Sequence, residues 1–106
     1  MMSALERIKK ADAARQRIAD FEINGDNIPL AVKVYPIKDF QKLVDRFSTT
    51  PNEKTAQFLA DQFTDPETGK PAFTGADLLD CSMSVWKGLI MFLGAVNRGE
   101  FEQKKS

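Results

Sequence analysis

Few side chains in this sequence could perform catalysis or bind a metal ion. The 106 residues include no histidine and a single cysteine, Cys81. The usual nitrogen and thiolate ligands of zinc are therefore missing, and so are the commonest general base near neutral pH and any histidine-based triad. Cys81 has neither a second cysteine nor a histidine to pair with, so we expect it to be buried beside Leu79 and Met83 rather than reactive.

Gly69-Lys70 is the pair that comes closest to a phosphate-binding loop. The loop motif G-x-x-x-x-G-K-[ST] requires a glycine and a hydroxyl residue at positions where this chain has Thr64 and Pro71. A proline also removes a backbone amide that would face phosphate. The stretch 65–71, DPETGKP, is therefore predicted to be a polar turn.

Asp61, Asp65 and Glu67 are the carboxylates that most resemble a site for a hard cation, because calcium and magnesium prefer oxygen ligands. Their spacing lacks the pattern of a calcium-binding loop, and acidic residues are common at helix termini for electrostatic reasons alone. We interpret them as solvated surface. The sequence thus predicts no catalytic residue, no metal site and no cofactor, and a protein that is not an enzyme.

The charges of the chain balance, with 15 Lys and Arg residues against 15 Asp and Glu residues. This balance argues against a broad phosphate-binding face. A mild basic excess near the N-terminus has no recognition helix or aromatic stacking platform beside it, which argues against nucleic acid as a partner. The N-terminus lacks the apolar run of a signal peptide, and the most hydrophobic stretch, 85–96, is too short to cross a bilayer.

The N-terminal segment is predicted to form one helix over 4–20. Ser3 and Glu6 fit a capping box, and no glycine or proline interrupts the segment. Its apolar stripe is narrow and consists of Leu5, Ile8, Ala11, Ala14 and Ile18. So few large apolar groups would anchor the helix only weakly to its own domain. It is either an ordinary surface helix or an arm that packs on a neighbouring subunit.

A β-hairpin is predicted over about 21–35. Asn24-Gly25 readily adopts the positive φ angles that a tight turn requires. Beyond this turn, Ile28, Leu30 and Val32 alternate with other residues, which is the period of a half-buried strand. An isolated hairpin is marginally stable in water, so we expect it to pack on the helices that follow.

Apolar residues then recur at helical spacing over 38–47. Thr50 is predicted to cap the next helix, with Pro51 at its first position and Glu53 completing a capping box. The buried face of that helix is expected to comprise Ala56, Leu59, Ala60 and Phe63.

Two more helices are predicted near the C-terminus. Thr74 and Asp77 indicate a cap for a short helix, and Ser82 is expected to cap a final helix over 83–97. This last helix is apolar on nearly all sides, which is typical of a core helix or of one with an interface on one side. Close packing would explain its glycines, and burial is expected for Met83 and Met91, although thioethers also suit an adaptable surface.

These elements predict an α+β fold, in which a mainly helical single domain over 1–97 packs an antiparallel hairpin on its helices. A polar C-terminal tail follows over 98–106 and is expected to fray. We also expect self-association through the N-terminal helix and the hairpin edge. The residues predicted to make these contacts are Leu5, Ile8, Ile18, Ile28 and Leu30.

The order of these elements resembles that of the tail assembly chaperones of long-tailed, siphovirus-type bacteriophages. The similarity begins with the hairpin opening FEING and continues through most of the chain. The segments that carry it are 21–25, 28–34, 35–40 (YPIKDF), 58–63 (FLADQF), 65–73 (DPETGKPAF) and 95–99 (AVNRG).

The resemblance implies a non-enzymatic role in the cytoplasm of the host cell. Such chaperones bind and solubilise the tape-measure protein, promote assembly of the tail tube from tube protein, and are absent from the mature virion. They self-associate and form spiral assemblies. Many are also made in a longer form by ribosomal frameshifting, and Gln103-Lys104-Lys105 fits an A-rich slippery sequence at the gene level. The alternatives are a minor tail structural or completion protein retained in the virion, and a small nucleic-acid-binding regulator.

Overall fold

The computed structural model describes residues 3–11, 16–48 and 50–100. These residues form five helices and one three-stranded antiparallel sheet, so the predicted α+β class is confirmed. In chain order the elements are α1 (Ala4–Ala11), β1 (Gln16–Ile23), β2 (Asp26–Lys33), α2 (Ile37–Arg46), α3 (Glu53–Ala60), β3 (Phe63–Thr64), α4 (Gly75–Leu79) and α5 (Met83–Asn97).

The hairpin turns at Asn24-Gly25, as the sequence predicts. Both residues have positive φ, 50° and 85°, and Ile23 lies directly opposite Asp26. Positive φ at both central positions matches the twist of the two flanking strands, which is why Asn-Gly favours this turn. The short β3 pairs with the other side of β2, so that β1 forms one edge of the sheet.

The predicted helix over 4–20 is wrong beyond its first turns. α1 ends at Ala11, and residues 16–20 belong to β1, where all eight residues pair with β2. Helix propensity is a weak local preference, and a complete antiparallel ladder that lays Ala19 and Phe21 on the core overrides it. Ala14 of the proposed stripe lies outside the described residues, as does the tail from Phe101 onwards.

The core lies between the inner face of the sheet and α5. Leu30 and Val32 of β2 are buried there, and the ring of Phe92 from α5 lies 5.4 Å from Phe21 and 6.2 Å from Phe63, measured between centroids. The other buried apolar residues of this cluster are Leu43, Phe47, Ala56, Leu59, Ala60, Leu78, Trp86, Leu89, Leu93 and Val96. The helices therefore cover one face of the hairpin, as expected from its marginal stability alone.

The two glycines of α5 have different surroundings. A Cβ added at Gly88 would lie 3.4 Å from the Phe21 ring of β1, which is an ordinary contact distance that alanine would also accept. At Gly94 the three nearest atoms all belong to the guanidinium of Arg98, the residue that follows α5, and a Cβ would lie 2.9 Å from its Nη1. β1 does approach Gly88, but the distances at the two positions do not require glycine at either, so close packing as the reason for these glycines is not confirmed.

The N-terminal cap of α3 differs from the one predicted from the sequence. Asn52, not Thr50, caps α3, because its side chain accepts from Thr55 N at 3.0 Å while the Thr55 hydroxyl accepts from Asn52 N at 2.9 Å. Thr74 and Asp77 form the predicted capping box of α4. Ser82 is the N-cap of α5, although its side chain makes no capping hydrogen bond.

One side chain joins the end of α5 to the strand that precedes α2. The Asn97 Oδ1 accepts from Tyr35 N at 2.8 Å, and its Nδ2 donates to Lys33 O at 3.1 Å. Beside it, Arg17 of β1 donates from Nη1 to Val96 O at 3.3 Å, which places a cation at the negative end of the helix. These bonds fix how α5 lies across the hairpin.

Candidate functional site

The described residues contain no group of three or more His, Cys, Asp or Glu side chains placed to hold a metal ion. Two of the three carboxylates named in the sequence, those of Asp61 and Asp65, make local hydrogen bonds. Asp61 accepts from Gln57 Nε2 at 2.8 Å, and Asp65 accepts from the backbone N–H of Glu67 at 2.8 Å. Gly69 has a φ of 72°, and its N–H donates to Asp65 O, which closes the predicted polar turn.

Cys81 is exposed, so the expectation that it is buried is wrong. Its Sγ lies 3.4 Å from the carbonyl oxygen of Asp77, one turn back along α4. α4 has only five residues and buries Gly75 and Leu78, so that the residues after Leu78 turn towards solvent. The apolar residues Leu79 and Met83 on either side of Cys81 therefore do not ensure that Cys81 is buried.

An open apolar groove runs along α5 and has a volume of about 540 Å³. We call it the α5 groove. The residues that line it come from α5 and from the segment between α2 and α3. They are Phe47, Ser48, Thr50, Pro51, Met83, Trp86, Lys87, Ile90 and Met91.

The floor of the α5 groove is aromatic and buried. Trp86 and Phe47 are buried, and their rings meet edge to face at a centroid distance of 6.2 Å. Phe58 stacks on Phe47 at 5.4 Å, and the Arg46 guanidinium lies 3.9 Å from the centroid of the Phe58 ring. Ring pairs of this geometry stabilise the packing of the floor beyond the effect of their buried area.

The rim of the α5 groove consists of flexible side chains. Met83 is 53% exposed and Met91 72% exposed, so the expectation of buried packing is wrong for both. Residues 83, 87 and 91 follow at intervals of four, which places them on one face of the helix. α5 presents its opposite side to the sheet, and the apolar groups on the rim are left at the surface. The sequence indicated this surface through a helix that is apolar on nearly all sides.

The five residues predicted for self-association do not form one surface within the domain. Leu5 and Ile8 are 60% and 63% exposed on α1, where every residue from 3 to 10 is exposed. Ile18 lies opposite Ala31 and Ile28 opposite Phe21, so that strand alternation places Ile18 and Ile28 on opposite faces of the hairpin. Leu30 is 3% exposed in the core and is not available to a partner in this fold.

A second, more polar depression of about 480 Å³ lies where the sheet meets α2, and it is lined by Gln16, Lys33, Val34, Tyr35 and Pro36. The Tyr35 hydroxyl hydrogen-bonds to Oε1 of the buried Gln62, whose Nε2 donates to a backbone carbonyl of α3. Burial raises the pKa of the Tyr35 phenol above its ordinary value. A neutral phenol used as a structural donor does not act as a general base.

The described helices include none that is both long and apolar enough to cross a membrane. No protein-family model matches the chain, and it has no match among curated proteins or solved structures.

Proposed function

We propose that this protein is a non-enzymatic tail assembly chaperone that binds and solubilises the tape-measure protein of a long-tailed bacteriophage and promotes assembly of the tail tube. We base the choice of family on the order of sequence segments, which resembles that of the tail assembly chaperones. The observation that carries the binding role is the α5 groove, in which an aromatic floor is bordered by the exposed Met83 and Met91.

Apolar side chains left exposed to water at the α5 groove favour the binding of a partner. Burial stabilises by roughly 25 cal/mol per Å² of apolar surface, so contiguous exposed apolar side chains mark an interaction site. Unbranched methionine side chains adapt to partners of different shape, which suits the long, largely helical client that the resemblance implies. An amphipathic helix laid into a groove is a common way to use such a surface.

Self-association through α1 is part of this proposal. Leu5 and Ile8 lie three residues apart on one helix face and are both exposed. An oligomer would offer several α5 grooves to one long client, and multivalency then gives tight overall binding from weak single contacts. Replacing both Leu5 and Ile8 with Asp should lower the mass measured by light scattering, because burying those charges is costly. An unchanged mass would rule out this interface.

The direct test is co-expression with the tape-measure protein encoded in the same phage genome. The wild-type chaperone should raise the soluble yield of the client and co-purify with it. The double variant Met83→Asp, Met91→Asp should lose both effects, since it places carboxylates on the rim of the groove. Ile37→Asp is the matched control, because Ile37 is 95% exposed and lies outside the groove.

Three results would contradict the proposal. The first is a soluble yield that does not change when the wild-type protein is present. The second is a control variant that loses client binding as completely as the rim variant does. The third is a stoichiometric band of this protein in purified virions by mass spectrometry, which is the result expected of a structural or completion protein.

A further inference from the structure

We propose that the α5 groove selects amphipathic helices that carry a carboxylate beside their apolar stripe, and that Lys87 is the residue responsible for this selection. The inference rests on the proposed function, since it concerns the client of the same groove. It adds the charge of the client, which neither the resemblance nor the apolar lining specifies.

Lys87 is the one charged residue among the nine that line the groove. Lys87 forms no ion pair with any residue that the structure describes. Among those residues the single ion pair joins Arg98 to Glu100. Its helix neighbours one turn away in either direction are Met83 and Met91, so Lys87 lies between the two exposed methionines on the same face of α5. A ligand that covers both methionines must therefore also approach this cation.

The electrostatics of α5 act in the same direction. The first turn of α5 contains no acidic residue, so the partial positive charge of the helix N-terminus is not offset by its own sequence. Lys87 lies just beyond that turn and adds a full charge. A carboxylate at the groove would be attracted by both, whereas an ammonium or guanidinium group would be repelled by both.

The length of the rim fits a helix of about two turns. Met83 and Met91 are eight residues apart, which corresponds to roughly 12 Å along the helix axis. A ligand helix can place apolar side chains at i, i+3 or i+4, and i+7 over such a distance. An acidic residue that flanks this stripe then comes within reach of the flexible Lys87 side chain.

The basic charge of α1 disfavours this helix of a second copy as the occupant of the α5 groove. α1 has two exposed apolar residues at suitable spacing, but it carries one acidic residue, Glu6, against three basic ones. Docking it in the groove would bring Arg7, Lys9 or Lys10 close to Lys87. We therefore assign the groove to a client with acidic flanks and α1 to a different contact.

Two synthetic helical peptides with an identical leucine stripe provide the test, one flanked by glutamates and the other by lysines. Their affinities for the full-length protein can be measured by fluorescence anisotropy at low ionic strength. We expect the glutamate peptide to bind more tightly by about fivefold, the scale of one partly exposed ion pair. Lys87→Glu should reverse the order, whereas Lys38→Glu, the same charge change at an exposed position of α2 outside the groove, should not.

Each other outcome overturns the inference. Equal affinities for the two peptides, no binding of either, or equal effects of Lys87→Glu and Lys38→Glu would show that Lys87 does not select the ligand. If Met91→Asp instead dissociated an oligomer of the protein alone, the occupant would be a second copy. In the co-expression assay, a tape-measure protein rescued equally by wild type and Lys87→Glu would leave the proposed function standing while refuting this charge selection.

Discussion

The contact between α3 and α4 predicts that Gly75→Ala destabilises the protein. Gly75 is the first residue of α4 and is buried against α3. A Cβ atom added there would lie 2.6 Å from the backbone nitrogen of Gln57 and 2.7 Å from its Cα. Because both are backbone atoms, no side-chain rotation relieves the overlap, and the two helices must move apart. The Gly75 N–H also donates to Gln57 Oε1 at 2.9 Å, and separation would stretch this bond.

Two opposing effects set the size of the change in the free energy of unfolding for Gly75→Ala. Overpacking of this kind costs about 1–3 kcal/mol, whereas replacing glycine by alanine in a helix gains at most about 1 kcal/mol. We therefore expect the free energy of unfolding to fall by about 1–2 kcal/mol. For a domain of this size that loss lowers the Tm by roughly 5–10 °C.

Urea unfolding followed by Trp86 fluorescence measures this change, since Trp86 is buried in the native protein. Gly88→Ala is the matched control, because its added Cβ would lie 3.4 Å from the Phe21 ring, at ordinary contact distance. We expect that variant to be as stable as the wild type, or more stable by up to about 1 kcal/mol. A Gly75→Ala protein with an unchanged or higher urea midpoint would refute the packing of α4 on α3 described above.

Three further predictions concern single side chains. Because burial raises the pKa of the Tyr35 phenol, the stability that the neutral phenol supplies is complete below about pH 10 and is lost as the pH rises through the raised value. Tyr35→Phe should therefore flatten the fall in unfolding free energy measured from pH 10 upwards, and an equally steep fall would contradict this. Asn97→Ala removes the bonds to Tyr35 N and Lys33 O and should cost about 1–3 kcal/mol in urea unfolding; a cost near zero would mean that these bonds do not hold α5 on the sheet. The exposed Cys81 should react fully with a thiol reagent in the native protein, and labelling that requires denaturant would show that it is buried.

The candidate site was only partly predictable from the sequence. The balanced charges and the missing histidine indicated a protein that acts through its surfaces, and the apolar circumference of residues 83–97 indicated one extra apolar face. Which residues occupy that face depends on the rotation of α5 against the sheet. That rotation buries Leu89 and Phe92 and leaves Met83 and Met91 exposed.

Short-range signals in the sequence determined the turns and most of the helix starts. Asn24-Gly25 specifies its turn because both residues tolerate positive φ, and Thr74 with Asp77 specifies a cap because both partners lie within one turn. These interactions need no distant partner, so they can be identified from a few neighbouring residues.

Only the tertiary structure decided the state of residues 16–20 and the exposure of the groove. Residues 16–20 have the composition of a helix and become a strand because β2 and the core offer a complete ladder and an apolar surface. The same pairing separates Ile18 from Ile28, on opposite faces of the hairpin. Apolar side chains that are far apart in the sequence compete for space in one core. Which of them become buried and which stay exposed depends on tertiary packing, and no local sequence pattern contains that information.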